Sequence, residues 1–417
     1  MLDQTRRDPL RTGCCIVGGG PAGMMLGYLL ARAGVDVAVL EKHADFFRDF
    51  RGDTIHPSTL ELMYELGILS DFLKLPHQEV RELKATFGNA EFGFADFRHV
   101  PTHCKFIALM PQWDFLNFLA ERSCRYPGFR ILMQTEATDL IEESGAVVGV
   151  RANSPDGRIE VRAPLVIGCD GRHSVIRSKA GMEVENLGAP MDVLWFRVSR
   201  LPSDPDDTMG KFEAGRILVA INRGDYWQCG YVIPKGSFDD LRRGDIAQFR
   251  QRLAQSMPMF GERVGEVASW DQVKLLTVAV DRLKRWYRRG LICIGDAAHA
   301  MSPIGGVGIN LAVQDAVAAA NILSDPLRAG AVSEAELARV QKRREFPTRM
   351  IQGGQLLVQK RVITGLLANQ GEIKPPLLVK LFMAFPVLRR IPARILGVGV
   401  RPEHIRTLER ARAPQPA

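Results

Sequence analysis

Neither a C-x-x-C pair nor an H-E-x-x-H run occurs in the 417 residues, so a structural or catalytic zinc site is not expected. The seven cysteines (Cys14, Cys15, Cys104, Cys124, Cys169, Cys229, Cys293) are odd in number and scattered, several inside apolar runs. That usage reads as reduced, buried thiols in a cytoplasmic protein, not as a disulfide framework. The opening MLDQTRRDPLRTG has no apolar stretch before a cleavage site, so no export signal is expected. The body of the chain also lacks a basic face. Of the formal net charge of +8, residues 374–417 account for nearly all, with nine Lys/Arg against two acids. With no recognisable binding motif either, nucleic acid is excluded as a partner. The apolar tail segment 375–400 has no uncharged run longer than eight residues, far short of the roughly 20 that a spanning helix needs.

The length and the ordinary balance of 46% hydrophobic and 24% charged residues fit a globular protein of two to three domains. The first informative stretch is CCIVGGGPAGMMLGYLLARAGVDVAVLEK. An apolar strand (Cys14 to Val17) leads into Gly18-x-Gly20-x-x-Gly23, then a helix pattern to Arg32, then a second strand ending in Glu41. The first glycine suits a tight turn, the second lets a pyrophosphate reach the backbone, and the third lets helix and strand pack closely. Pro21 fits the first helical turn, where its missing N–H costs nothing. A carboxylate at position 41 accepts hydrogen bonds from an adenosine ribose and repels a 2′-phosphate, which selects FAD or NAD over NADP. The plainer alternative is a solvated acid at a strand end.

Two later stretches have the same strand-to-loop form. APLVIGCDGRHSVIRSKAGM carries a strand, Asp170-Gly171 and a helix start at Ser174. CIGDAAHAMSPIGGVGINLAVQDAVAAANIL carries a strand, Gly295-Asp296, a loop with three glycines and a helix beginning near Asn310. Three cradles on one chain are expected to converge on one long ligand. Gly305, Gly306 and Gly308 allow the main chain to approach a flat ring, and the N–H groups opening the last helix favour negative charge. Asp296 could instead be a loop acid, and His299 could be a packed loop histidine or a catalytic one. No second G-x-G-x-x-G is present, so a nicotinamide nucleotide has no fold of its own here.

The ordered motifs GGGPAG, CDGRHSVIR and GDAAHAMSPIGGVGIN, with FRGDTIHPSTLELMYELG and PQWDFLNFL between the first two, resemble those of the class A flavoprotein monooxygenases of the p-hydroxybenzoate hydroxylase type. The resemblance covers most of the first 320 residues. It implies a Rossmann-type FAD-binding domain, an antiparallel β-sheet domain over the substrate, and C-terminal helices. It further implies that Gly18, Gly20, Pro21, Ala22 and Gly23 hold the FAD pyrophosphate, with Glu41 and Lys42 at the adenosine ribose. Arg51 and Gln112 would meet the ribityl chain. Asp296 would meet the ribityl or pyrophosphate region, and Asp170 would serve both FAD and a transient NADH or NADPH. Pro303, Gly306, Gly308, Ile309 and Asn310 would border the isoalloxazine ring. The implied activity is hydroxylation of an aromatic or polyketide-like small molecule with NAD(P)H and O2, through a flavin C4a-hydroperoxide. The W-x-W-x-I-P motif of the related tryptophan halogenases is absent. A reductase, dehydrogenase or oxidase on the same scaffold is the nearest alternative, and a non-catalytic nucleotide-binding module a remote one. No catalytic base is identifiable.

Residues 10–80, 101–182 and 285–345 are expected to form the FAD domain, 81–100 and 183–284 the substrate domain, and 346–417 a helical region. In the substrate part, DVLWFRVSRL, GRILVAINRGDYWQCGYVIPKG and DQVKLLTVAVDRL alternate with period 2, as antiparallel strands do. Trp195, Arg223, Tyr226, Gln228 and Tyr231 are its candidate substrate contacts, and Pro303 is a further one, although aromatic residues in strands also serve as ordinary packing. The basic tail reads either as short helices packed on the cofactor domain or as a membrane-surface or dimer contact.

Overall fold

The computed structural model describes residues 8–47, 54–88, 90–368 and 377–410. Its centre is a six-stranded sheet in the order Tyr287–Arg288, Leu291–Cys293, Val166–Gly168, Cys14–Val17, Val37–Leu40, Phe129–Leu132. All neighbours are parallel except the first pair. The continuous apolar character of CCIV, VAVL, VIG and LIC follows from this position, because a parallel sheet is covered on both faces. The helix Pro21–Arg32 is buried along almost its whole length and packs on the helix Gly308–Arg328. The segment Ile304–Arg328 is long and apolar enough to cross a membrane, but 78% of its apolar window is buried within the fold, which makes it a core helix.

A seven-stranded sheet runs Lys274–Leu276, Met191–Ser199, Tyr226–Pro234, Arg216–Asn222, Met209–Glu213, Glu82–Phe87, Ala90–Asp96. It is antiparallel, as the alternation predicts, except where Met209–Glu213 runs parallel to Glu82–Phe87. Its two faces pack against different things. Leu194, Phe196, Trp227, Cys229 and Tyr231 meet Phe249 and Leu253 of the helix Ile246–Ser256. Val193, Trp195, Ile217 and Val232 meet Ile304, Ile363 and Leu366. This corrects one expectation: Tyr231 stands edge-on to Phe249, ring centroids 5.4 Å apart, on the face turned away from the glycine loop.

The expected C-terminal helices are present. The helix Glu334–Val358 starts at a capping box made by Ser333 and Glu336, continues through a turn of π-helix, Gln359–Ile363, and ends with Thr364–Ala368. Leu377–Ala384 and Arg390–Gly397 follow. Residues 401–410 then run back, without regular structure, to the first helix, where the Arg410 N–H donates to the Arg32 carbonyl. All seven cysteines are free, six of them buried.

Candidate cofactor and active site

The three cradles adjoin one another because their strands do. Gly168 is in register with both Val17 and Cys293, so the loops that follow all leave the sheet at its C-terminal edge. That edge is where ligands of doubly wound sheets sit. A Cβ on Gly18 (φ 106°) would lie 2.4 Å from the Cys169 carbonyl oxygen, and one on Gly23 would lie 2.0 Å from the Gly18 oxygen. A Cβ on Gly20 would meet nothing. The first and third glycines are therefore needed by the protein's own packing, while the second faces open space at the start of the helix, with Pro21 at its first position and Ala22 and Gly23 buried behind. The third cradle closes on the first, since a Cβ on Gly295 (φ 59°) would come within 3.1 Å of the Ala22 side chain.

Glu41 is buried at the end of its strand. Its Oε2 accepts from the Gly19 N–H at 3.0 Å and its Oε1 from the His43 N–H at 3.0 Å, which ties the strand end to the glycine turn. Lys42 beside it is exposed. Gln112 opens the helix Gln112–Ser123 and is partly buried, as is Asp296 in the short turn Gly295–Ala297. Arg51 lies outside the described residues. Asp170, partly buried just past the end of its strand, is bonded to the helix that follows it. Its Oδ1 accepts from Ser174 Oγ at 2.5 Å and its Oδ2 from the Ile176 N–H at 3.1 Å, beside the N-cap of the helix Val175–Lys179, where Ser174 Oγ accepts from the Arg177 N–H. Burial pushes its carboxyl up, and these donors oppose the rise. The last residue of that motif is the one that reaches the third cradle. Arg177 Nη1 lies 3.4 Å from the Ala297 carbonyl and 3.4 Å from Asp281 Oδ1.

At the glycine loop, Thr54 Oγ1 donates to the Gly306 carbonyl at 2.7 Å, and a Cβ on Gly306 would fall 2.3 Å from that hydroxyl. The Asn310 side chain is fully used inside the protein. Its Oδ1 accepts from the His56 N–H and Thr59 Oγ1, and its Nδ2 donates to the Thr54 and Gly306 carbonyls. Only its backbone is left for a ring. Pro303 precedes the glycines, and Gly308, where a Cβ would meet nothing, begins the long helix with buried Ile309. The open positions Gly20 and Gly308 lie at the starts of the two packed helices, a cradle that suits an extended dinucleotide.

His56, also beneath this loop, is fully buried and donates from Nδ1 to the Leu396 carbonyl at 2.7 Å. Burial lowers its pKa to about 4, with the carbonyl partly opposing. The folded protein thus binds this proton more weakly than the unfolded chain. The stabilisation is complete above about pH 6.5 and is lost as pH falls towards 4. Unfolding midpoints measured from pH 7 to pH 4 are expected to fall less steeply for His56→Gln than for the wild type. Parallel slopes would assign the acid sensitivity to other groups.

On the sheet side, Trp195, Tyr226 and Gln228 share the face turned to Ile304, because Trp195 pairs with Gly230, Arg197 with Gln228 and Ser199 with Tyr226. Arg223 Nε donates to Gln228 Oε1 at 3.2 Å, and the Arg197 guanidinium lies 4.8 Å from the centre of the Tyr226 ring. Four of the five sheet candidates thus gather on or beside one face, and Tyr231 does not.

Two sets of residues went unnoticed in the sequence. Asp315 and Arg344, both fully buried, form a chain with His299 and Glu403. His299 Nε2 is 2.6 Å from Asp315 Oδ2, which also accepts from the Gly295 N–H at 3.1 Å. Arg344 Nε donates to Asp315 Oδ1 at 2.9 Å, and its Nη1 to Glu403 Oε1 at 3.2 Å. His299 therefore serves as a packed loop residue. Burial alone would raise the Asp315 carboxyl, but His299 and Arg344 outweigh it and hold it low. The second set is a ladder of buried glutamines. Gln352 Nε2 donates to the Ala300 carbonyl, Gln355 Nε2 to the Ser302 and Ile304 carbonyls, and Gln359 Nε2 to Ser302 Oγ, all within 2.8–3.0 Å. One helix thereby fixes the backbone of the loop that carries Pro303.

Comparison with known proteins agrees with this geometry. A family model described as FAD binding domain matches residues 11–353. The chain is 33% identical over 390 residues, 92% of its length and 93% of the relative's, to a 6-methylpretetramide 4-monooxygenase of Streptomyces rimosus. It is 28% identical over 308 residues to a rifampicin monooxygenase of Streptomyces venezuelae, covering 72% of this chain and 61% of that protein. Among solved structures, Pseudomonas aeruginosa PqsL in complex with 2-aminobenzoylacetate is similar with a TM-score of 0.74 at 24% identity, over 86% of this chain and 98% of that one. The OxyS anhydrotetracycline hydroxylase of Streptomyces rimosus is similar with a TM-score of 0.69 at 21% identity, over 93% and 76%. These two likenesses concern the fold.

Proposed function

Because the chain belongs to the class A FAD-dependent monooxygenases, we propose that it uses NAD(P)H and O2 to hydroxylate a fused-ring, phenolic polyketide-like molecule. The observation that carries the substrate class is the full-length similarity to an enzyme named for 6-methylpretetramide. FAD, when bound, would supply the redox chemistry that links NAD(P)H and O2 to oxygenation of the ring.

The residues of this chain bind, orient and exclude water. Gly20, Pro21, Ala22 and the N–H groups behind them would take the pyrophosphate, and Glu41 the ribose. Asp296 and Gln112 would meet the ribityl chain. The open edge at Gly308, with the Ile309 and Asn310 N–H groups at a helix start, would favour negative charge on the reduced ring. Trp195, Val193 and Val232, packed in one cluster with Ile304, would form an apolar wall that keeps water from the reacting oxygen. Arg223 and Gln228, hydrogen-bonded to each other, would present donors to a phenolate or enolate oxygen.

The absence of a nicotinamide fold makes flavin reduction a natural control point. Substrate is therefore expected to raise NAD(P)H oxidation well above the basal rate, with one atom of labelled O2 in the product by mass spectrometry. Anaerobic turnover of the substrate, or a product without label, would establish a dehydrogenase, reductase or oxidase instead.

A further inference from the structure

The C-terminal helices carry an outward face that the active site does not use. Phe385, Val387 and Ile391 are 56%, 59% and 58% exposed, and Leu381, Met383 and Ile395 are exposed beside them. On the helix Arg390–Gly397 the exposed Ile391 and Ile395 lie one turn apart, and the exposed Arg390 and Arg394 form the adjoining stripe. Phe346 and Met350 on the neighbouring helix are half exposed, and their neighbour Ile351 packs against Leu396. Soluble surfaces seldom gather this many large apolar side chains in one place.

The charge pattern decides what covers this face. Residues 373–402 contain six Lys/Arg and no Asp or Glu. A second copy of the chain, paired through the same patch, would set Arg390 and Arg394 against their own equivalents with no acid to receive them. A surface that is apolar inside and negative outside matches both stripes at once. We propose that this face docks on an anionic lipid bilayer, with Phe385, Val387, Ile391 and Ile395 entering the headgroup boundary and Lys380, Arg390 and Arg394 at the phosphates.

The inner side of the same helix reaches the site. Ala393 is fully buried, the Leu396 carbonyl accepts from His56, and a Cβ on Gly305 would lie 2.8 Å from Leu396 Cδ2. Docking therefore brings the glycine loop to within about one helix diameter, roughly 10 Å, of the lipid. An apolar polycyclic substrate would be taken from the bilayer beside the loop that uses it.

The test is cosedimentation of the FAD-loaded full chain with vesicles of phosphatidylcholine containing about one third phosphatidylglycerol, against pure phosphatidylcholine. Binding at low salt is expected to be at least about tenfold weaker without the anionic lipid and to be released near 0.5 M NaCl. The pair Val387→Asp and Ile391→Asp, and separately Arg390→Glu and Arg394→Glu, should abolish it with unchanged unfolding midpoints, since these side chains are exposed. Arg242→Glu with Arg243→Glu, exposed cations on the helix Phe238–Arg243, should leave it intact. No binding to anionic vesicles at low salt, or equal loss in the Arg242/Arg243 control, overturns the proposal. So does a stable dimer in sedimentation velocity that Val387→Asp with Ile391→Asp dissociates. None of these readouts depends on the identity of the substrate.

Discussion

Gly23→Ala is expected to yield protein without FAD and with a lowered unfolding midpoint, whereas Gly20→Ala should keep the midpoint and lose only affinity for the cofactor. The difference follows from what each new methyl group would meet. At position 23 it would sit 2.0 Å from the Gly18 carbonyl oxygen, a backbone atom held in place by the Gly18 N–H bond to the Leu40 carbonyl. Neither partner is the end of a flexible side chain, so the helix must move off the strand. Overpacking of this kind costs roughly 1–3 kcal/mol or more, and here it also opens the anion-binding turn. At position 20 the methyl group meets no protein atom, and the backbone is already extended at φ −75° and ψ −174°. Any effect at Gly20 is therefore an effect on what fills the space in front of it. Absorbance at the flavin band per chain, together with thermal unfolding of the apoprotein, separates the two. Full FAD content in Gly23→Ala, or undiminished affinity in Gly20→Ala, would remove this turn from the cofactor site.

The contrast between those two glycines shows how the sequence encodes the fold. Glycine spacing, the acid at the end of the second strand and the apolar runs marked the three strand-to-loop units, because local backbone demands leave local traces. The strand Cys14–Val17 and the helix Pro21–Arg32 have the boundaries the pattern predicts. Facing was less legible. Alternation assigns Gln228 and Tyr231 to opposite faces of one strand, but both faces of this sheet are covered, so periodicity does not say which one looks toward the glycine loop. Asp170 has a local partner, Ser174, four residues on, a bond that the motif alone does not announce. Arg344 and the glutamines at 352, 355 and 359 left the weakest trace. Polar side chains on a long, charged helix read as a solvated face, and their i, i+3 and i+7 spacing becomes a signal only once a loop backbone is known to need donors there.

Asp315→Ala is expected to be among the most damaging substitutions in the chain, affecting both stability and FAD retention, while Arg344→Met affects mainly stability. Asp315 has two charged or polar neighbours and one backbone donor that depend on it. Its loss leaves the fully buried Arg344 with Glu403 and the Arg401 carbonyl, leaves His299 Nε2 without an acceptor, and frees the Gly295 N–H that shapes the third cradle. Removing one partner of a buried charge pair costs about 3–5 kcal/mol, because the other charge stays out of water. Arg344→Met keeps the volume and leaves the Asp315 bonds to His299 and Gly295 in place, so the Gly295–Asp296 turn should hold its shape. The double substitution should cost less than the sum of the two, by about 0.5–3 kcal/mol, since the second change removes a charge that the first left unpaired. The same network sets an acid limit. A carboxyl held below its ordinary value stabilises fully above about pH 4, and that contribution disappears as pH falls further. Denaturant unfolding of the four proteins, with FAD content measured on each, gives both numbers. Strict additivity would mean that Asp315 and Arg344 act independently. Full FAD content in Asp315→Ala would mean that the Gly295 turn needs no carboxylate behind it.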